Sequence, residues 1–105
     1  MFLSILLPVI VIKIGTNVIV KANGELDTEV VAALGEQIAE LKRRNRKVIL
    51  VTSGAIACGR KYVKRSLSMT KSHIQIMAAY GQADLFQEWK KIFWEKHRIA
   101  CAQLL

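Results

Sequence analysis

Residues 47–54 of this chain read Lys47-Val48-Ile49-Leu50-Val51-Thr52-Ser53-Gly54. From Val48 to Thr52 the residues are β-branched or apolar without alternation, which is typical of a parallel strand covered on both faces. Ser53-Gly54 ends this strand, and Ala55–Val63 predicts a helix directly after it. A sharp strand-to-helix turn leaves backbone N–H groups free to bind an anion. An ordinary Ser N-cap explains the same pattern equally well.

A second run of the same kind lies earlier in the chain. Val9–Ile14 is apolar on both faces except for Lys13, and it ends at Gly15. A lysine inside an apolar strand is costly to bury unless its ammonium group reaches an anion or the strand end. Gly15 would let the backbone approach a ligand closely. A lysine that simply reaches out to water is the common alternative.

The rest of the chain alternates helices with strands. Asp27 or Thr28 would cap a helix with one apolar stripe, and the basic run after it would close its last turn. The stripe consists of Val31, Leu34, Ile38 and Leu41. Gly35, inside this helix, suggests close packing. A longer helix is predicted from about Ser72 to Lys96, and Ile99–Leu105 is predicted as a third strand. The side of this longer helix that should face the core consists of Ile74, Met77, Gly81, Leu85, Trp89 and Ile92 or Phe93. This order predicts an α/β fold with a mainly parallel sheet and helices on its faces.

Length and charge limit the possible functions. The 105 residues allow one domain and no second one, and the net charge is +8. Basic clusters at Lys42–Lys47 and Arg60–Arg65 could bind nucleic acid. Both fall where helices are predicted to end, where basic side chains are favoured. We therefore expect solvated helix ends, and we do not expect nucleic acid as a partner.

The sequence gives no sign of a metal site or of export. Cys58 and Cys101 are too few for a disulfide framework, and His73 and His97 lack further ligands at zinc-binding spacing. The apolar start, Met1–Ile12, has no preceding basic residue and no cleavage site after it, and Lys13 interrupts it. We expect a cytoplasmic protein without a membrane segment.

One nucleotide-binding motif is nearly matched. Residues 54–61, GAIACGRK, follow a predicted strand and have the glycine spacing of a P-loop. Arg60 stands where that motif needs Lys, and Lys61 stands where it needs the Ser or Thr that binds magnesium. The P-loop interpretation is rejected on these two positions.

Four segments resemble the amino acid kinase family. Residues 13–19, KIGTNVI, are similar to its opening motif, and residues 102–105, AQLL, to its third strand. Residues 51–60, VTSGAIACGR, and 78–82, AAYGQ, resemble the versions found in glutamate 5-kinases. Ile74 and Ala83 depart from the usual pattern, as does the Pro-free connection 64–71.

The resemblance implies a three-layer αβα sandwich, of which only the first strand–helix units are present. It also implies ATP-dependent phosphorylation of the glutamate side-chain carboxylate, the first step of proline synthesis, with ATP and Mg²⁺ as cofactors. Lys13 would be catalytic, neutralising charge on the phosphoryl group, and Gly15 and Thr16 would bind phosphate. Ser53, Gly54 and Ala55 would hold glutamate.

Residues 1–105 would then be the N-terminal part of an incomplete kinase domain, inactive and poorly stable alone. The resemblance also allows a homo-oligomer through the long helix, where Phe86, Trp89 and Phe93 would face a partner or form core. Two alternatives stay open. One is another amino acid kinase. The other is a basic, non-enzymatic fragment that binds anionic partners.

Overall fold

The computed structural model describes residues 8–63 and 69–104. The first seven residues of the apolar start and most of the connection 64–71 lie outside these ranges. These described residues form two strands, four α-helices, a 3-10 turn and a π-helical segment. In chain order they are β1 (Val9–Ile14), α1 (Thr16–Ile19), α2 (Thr28–Arg43), β2 (Lys47–Thr52), α3 (Ala55–Gly59), the 3-10 turn (Arg60–Tyr62), α4 (Lys71–Lys90) and the π-helical segment (Lys91–Lys96).

The two strands pair in parallel, as predicted, with Val9 opposite Lys47 and Ile14 opposite Thr52. Burial alternates along each strand. The inward side chains, which pack against the core, are Ile12, Ile14, Val48 and Leu50. The outward side chains are exposed, so the prediction of strands covered on both faces is wrong for the part of the chain that the structure describes. The described helices that contact the sheet all lie on the same face of it.

Helix α2 follows its sequence signals. Asp27 is the N-cap, and its side chain accepts a hydrogen bond from the Val30 N–H at 3.2 Å. Val31 and Ile38 are buried and belong to the core. Gly35 packs closely, as expected: a Cβ built on it would lie 2.5 Å from Cγ2 of Ile92, in the π-helical segment. The helix therefore docks on the C-terminal end of the long helical arm.

The first basic cluster is the solvated helix end that was predicted. Helix α2 finishes at Arg43, inside the cluster. Arg43 and Arg44 both pair with Glu40, at 2.8 and 3.2 Å. These two hydrogen bonds hold the pKa of the Glu40 carboxyl below its usual value. Part of the cluster's charge is thus neutralised within its own helix.

Helices α3 and α4 cross in backbone contact at two glycines. A Cβ on Gly59 would lie 1.7 Å from the Met77 carbonyl oxygen, and a Cβ on Gly81 would lie 1.7 Å from the Ala55 carbonyl oxygen. Helix α3 is shorter than the predicted Ala55–Val63, because the chain tightens into the 3-10 turn at Arg60. Only glycine on both sides allows this approach.

The core side of α4 was mostly predicted correctly. Met77, Gly81, Leu85 and Trp89 are buried, as is Phe93 in the π-helical segment. Ile74 is the exception, since it is 41 % exposed. Trp89 and Phe93 stack with ring centroids 5.8 Å apart inside the core cluster. In this chain they therefore serve the core, while Phe86 is half-buried.

The predicted third strand is absent from residues 99–104, the part of it that the structure describes. Arg98 adopts a left-handed conformation with φ 55°, and the Ile99 N–H donates to the Phe93 carbonyl at 2.9 Å. Ile99 and Cys101 pack against the core without ladder bonds. A cleft of about 600 Å³, lined by Val48–Thr52 on one side, borders this segment. The segment therefore lies across this cleft from β2 and does not pair with it.

The described part of the chain contains no helix of sufficient length and apolarity to cross a membrane.

Candidate functional site

The carboxyl ends of the two strands meet at one edge of the sheet. The backbone N–H of Ser53 donates to the carbonyl of Ile14 at 2.9 Å, which extends the pairing one residue past β2. Gly15 follows Ile14, and Gly54 follows Ser53. The two motifs singled out in the sequence are therefore joined directly. Ligands of open α/β sheets bind at this position.

Lys13 is exposed and lies on the face of β1 that points away from the core. Its register partner is Val51, which is exposed on the same face. Ser53 lies two residues beyond Val51. Lys13 is thus the last outward residue of β1, and its register partner lies two residues before the turn that follows β2.

Gly15 leaves open space at the end of β1. Its backbone has φ −83° and ψ 165°, which any residue adopts. A Cβ built on it would find no atom within 4 Å. Thr16 begins the single-turn helix α1 and is exposed, like Gly15. The local fold does not require glycine here, but the open space suits the approach of a ligand to the backbone.

Gly54 is required by both conformation and packing. Its φ is 121°, which L side chains rarely adopt. A Cβ on it would lie 3.2–3.3 Å from side-chain carbons of Leu26, Leu85 and Ile19. Ser53 and Ala55 on either side are half-buried. The Ser53-Gly54-Ala55 turn is therefore fixed against three apolar side chains.

Arg60 contacts the loop before α2, which no sequence signal predicts. Val20 and Leu26 form an antiparallel bridge, and the chain turns between them through Gly24, with φ 88°. A Cβ on Gly24 would lie 3.0 Å from Nε of Arg60. Arg60 thus lies over this loop. The Asn23-Gly24 pair signals a turn, but nothing local points to its distant arginine.

A second missed cluster joins the 3-10 turn to α4. The Tyr62 hydroxyl donates to Oδ2 of Asp84 at 2.6 Å, and Nζ of Lys61 lies 3.1 Å from the same oxygen. The Tyr62 hydrogen bond, followed by that of Lys61, holds the pKa of Asp84 below its usual value. The Asp84 hydrogen bond raises the pKa of Tyr62 in turn. Lys61, from the second basic cluster, is therefore paired with a carboxylate.

Neither cysteine is prepared for nucleophilic chemistry. Burial raises the pKa of the Cys58 thiol, and Asp84 and Glu88 raise it further. Burial also raises the pKa of Cys101. Within residues 8–63 and 69–104, no three His, Cys, Asp or Glu side chains are grouped closely enough to hold a metal ion.

Comparison with known proteins identifies the family. The profile of the amino acid kinase family matches residues 8–104. The chain belongs to the amino acid kinase family. This result confirms the resemblance drawn from the strand-end motifs, and the parallel α/β structure agrees with it.

Several curated relatives in this family are glutamate 5-kinases. The chain is 45% identical over 97 residues to the glutamate 5-kinase of Chlorobaculum tepidum, covering 91% of this chain and 27% of that protein. It is 44% identical over 85 residues to that of Photobacterium profundum, covering 80% of this chain and 22% of the relative. The chain thus spans about a quarter of the length of the curated relatives it matches.

Proposed function

We propose that this amino acid kinase chain supplies the glutamate- and phosphoryl-binding portion of a glutamate 5-kinase site. The hydrogen bond between Ser53 and Ile14 carries this proposal, because it brings both anion-suited strand ends to one edge. The similarity to glutamate 5-kinases supports the choice of substrate.

The proposed roles are those that the resemblance to the family implies. The Ser53-Gly54-Ala55 turn holds the glutamate carboxylate. Lys13 neutralises charge on the transferring phosphoryl group, and the open backbone at Gly15-Thr16 binds phosphate oxygens. Phosphoryl transfer needs mainly positioning and charge neutralisation, and these groups supply both.

The described residues are suited to bind a phosphate group of ATP, but they offer no set of ligands for Mg²⁺. Lys13 and the space at Gly15 suit a phosphate group. The described ranges contain no cluster of carboxylates or other metal ligands, so no residue is assigned to Mg²⁺. We infer that the isolated chain catalyses no glutamate-dependent ATP turnover. Turnover by the purified chain, lost in Lys13→Met, would contradict this inference.

Binding of glutamate to the chain tests the proposed substrate site. Titration with glutamate should shift the amide NMR signals of Ser53, Gly54 and Ala55. Ser53→Ala should weaken glutamate binding about tenfold or more, the typical effect of losing a hydrogen bond to a charged group. Ser72→Ala, an exposed serine in the first turn of α4, is the matched control.

Aspartate, one methylene shorter, separates glutamate 5-kinase from another amino acid kinase. The proposed site should bind aspartate more weakly than glutamate. Equal or tighter binding of aspartate would assign the turn to a different family activity. Shifts confined to the basic cluster Lys42–Lys47, falling steeply with salt, would instead support a general anion-binding fragment.

A further inference from the structure

The loop between the bridged residues Val20 and Leu26 carries an asparagine followed by a glycine. Asn23 is exposed and Gly24 is half-buried. The side-chain amide of an asparagine can react with the backbone nitrogen of the next residue. Glycine leaves that nitrogen most accessible, because it places no Cβ beside it. The loop therefore brings a reactive pair to the surface of the molecule.

The amide group of Asn23 is held by two hydrogen bonds to Glu25. Its Oδ1 accepts from the Glu25 backbone N–H at 3.0 Å, and its Nδ2 donates to Oε2 of Glu25 at 3.3 Å. The first bond favours attack on Cγ, because the N–H stabilises the negative charge that then forms on Oδ1.

One hydrogen bond of the loop opposes this attack. The backbone N–H of Gly24 donates to the carbonyl of Lys21 at 2.9 Å, and this bond must open before the nitrogen can react. Backbone bonds of exposed turns open at low cost in free energy, without unfolding of the core. The reaction is thus compatible with the folded chain.

Arg60 brings a positive charge to the reacting atoms. Its Nε and Cζ would lie 3.0 and 3.3 Å from a Cβ built on Gly24, so the guanidinium group rests against the residue whose nitrogen attacks. A cation placed there stabilises the negative charge that develops during the attack. The contact joins residues that are distant in the sequence, so it exists only in the folded state.

We propose that Asn23 deamidates spontaneously in the folded chain and that Arg60 promotes the reaction. The nitrogen of Gly24 forms a bond to Cγ of Asn23, the bond from Cγ to Nδ2 breaks, and ammonia leaves with the proton of the Gly24 nitrogen. A cyclic succinimide results. Water, the only other reactant, then opens the ring on either side to aspartate or isoaspartate, and no oxidant or reductant is needed.

The products change the loop in charge and in length. Either product places a carboxylate beside Glu25, where the amide had donated a hydrogen bond. Isoaspartate also adds one methylene group to the backbone between Val20 and Leu26. This inference is independent of the proposed function, because the reaction needs neither glutamate nor ATP.

Peptide mapping by mass spectrometry tests the proposal. The full 105-residue chain is incubated in neutral buffer while circular dichroism confirms that it stays folded. Asn23 should deamidate about tenfold faster, or more, than Asn17 and Asn45, because the residues after those two asparagines carry a Cβ. An isoaspartyl methyltransferase should label the peptide that contains residue 23. Asn23→Gln should abolish this label.

Two charge variants test the role of Arg60. Arg60→Gln should slow the reaction about two- to fivefold in the folded chain, the range of an exposed charge interaction. It should have no effect in urea, where the contact with Gly24 is lost. Lys61→Gln is the matched control, because it removes a neighbouring positive charge that pairs with Asp84 instead, and it should leave the rate unchanged.

Three results would overturn the proposal. Asn23 could stay intact in buffer and react only in urea, which would mean that the closed loop protects it. Arg60→Gln could leave the rate in the folded chain unchanged or slow it no more than Lys61→Gln does. The slowing by Arg60→Gln could also persist in urea, which would exclude the contact with Gly24 as its cause.

Discussion

At the scale of single residues, the two strand-end glycines differ in what they do. Gly15→Ala should change the free energy of unfolding by less than about 0.5 kcal/mol, because its φ is ordinary and no atom lies within 4 Å. Gly54→Ala should lower it by about 1–3 kcal/mol, because φ is 121° and three side chains crowd the new methyl group. Urea unfolding of both variants measures the difference.

Phosphate binding should also be measured for the two glycine variants. Gly15→Ala fills the open space at the end of β1, so it should weaken phosphate binding while the fold survives. If Gly15→Ala unfolds the chain as readily as Gly54→Ala, the space at Gly15 is structural and the assignment to phosphate fails. Sequence alone identified both glycines, but it could not separate their roles. The side chains around Gly54 come from two other parts of the chain, the turn between Ile19 and Leu26 and helix α4.

At the scale of elements, helix packing depends on three further glycines. Gly35→Ala should destabilise the chain by about 1–3 kcal/mol, because its new methyl group overlaps Cγ2 of Ile92. Ile92→Ala removes that atom. In the Ile92→Ala background, Gly35→Ala should therefore be much less damaging. A double-mutant cycle on urea unfolding measures this coupling.

The crossing of α3 and α4 provides the contrast. A methyl group on Gly81 meets the backbone carbonyl of Ala55 at 1.7 Å. No side-chain truncation can relieve this overlap, so Gly81→Ala should destabilise the chain equally in the wild-type and Met77→Ala backgrounds. Relief by Met77→Ala would mean that the two helices separate easily and that the backbone contact at Gly81 and Gly59 is not essential.

The elements that sequence predicts well are those with local signals. Helix α2 has its Asp27 cap and its apolar stripe, and both strands have their β-branched runs. Residues 99–104 have a strand-like composition, yet a strand exists only through pairing with a neighbour. Residues 99–104 form no such pairs, and they follow a left-handed turn at Arg98. The strand–helix order was thus predictable from the sequence, whereas the third strand depended on distant geometry.

At the scale of the whole molecule, the apolar pattern of both strands predicts burial on both faces of the sheet. The described residues bury only one of these faces. Val11 and Ile49 have the composition of core residues, but they are 62% and 44% exposed. Local pattern cannot say which segment covers a strand. The same reasoning applies to the site, where sequence named the two strand-end motifs and the structure showed that a backbone hydrogen bond joins them.

Acid should destabilise the molecule through three ion-paired carboxylates, of which Glu36 and Asp84 link different elements and Glu40 pairs within the end of its own helix. Glu36 pairs with Lys96, Glu40 with Arg43 and Arg44, and Asp84 with Tyr62 and Lys61. These contacts lower the pKa of all three carboxyl groups below the ordinary values of 4.5 for Glu and 3.8 for Asp. A carboxyl group whose pKa is lower in the folded than in the unfolded chain stabilises the fold at any pH above its unfolded pKa. This stabilisation is lost as the pH falls through the folded pKa.

The urea midpoint should therefore decrease below about pH 4.5. The effect should be modest, because all three carboxylates are solvent-accessible and screened by salt. Asp84→Asn removes the titrating charge from the contact between the 3-10 turn and α4, so the midpoint of this variant should fall less between pH 7 and pH 3. Glu95→Gln, at an exposed position with no ion pair to a described residue, should leave the decrease unchanged. An equal decrease in Asp84→Asn and in the unmodified chain would show that the Asp84 cluster does not contribute. The acid sensitivity would then arise from the general repulsion of a chain whose net charge is already +8 at neutral pH.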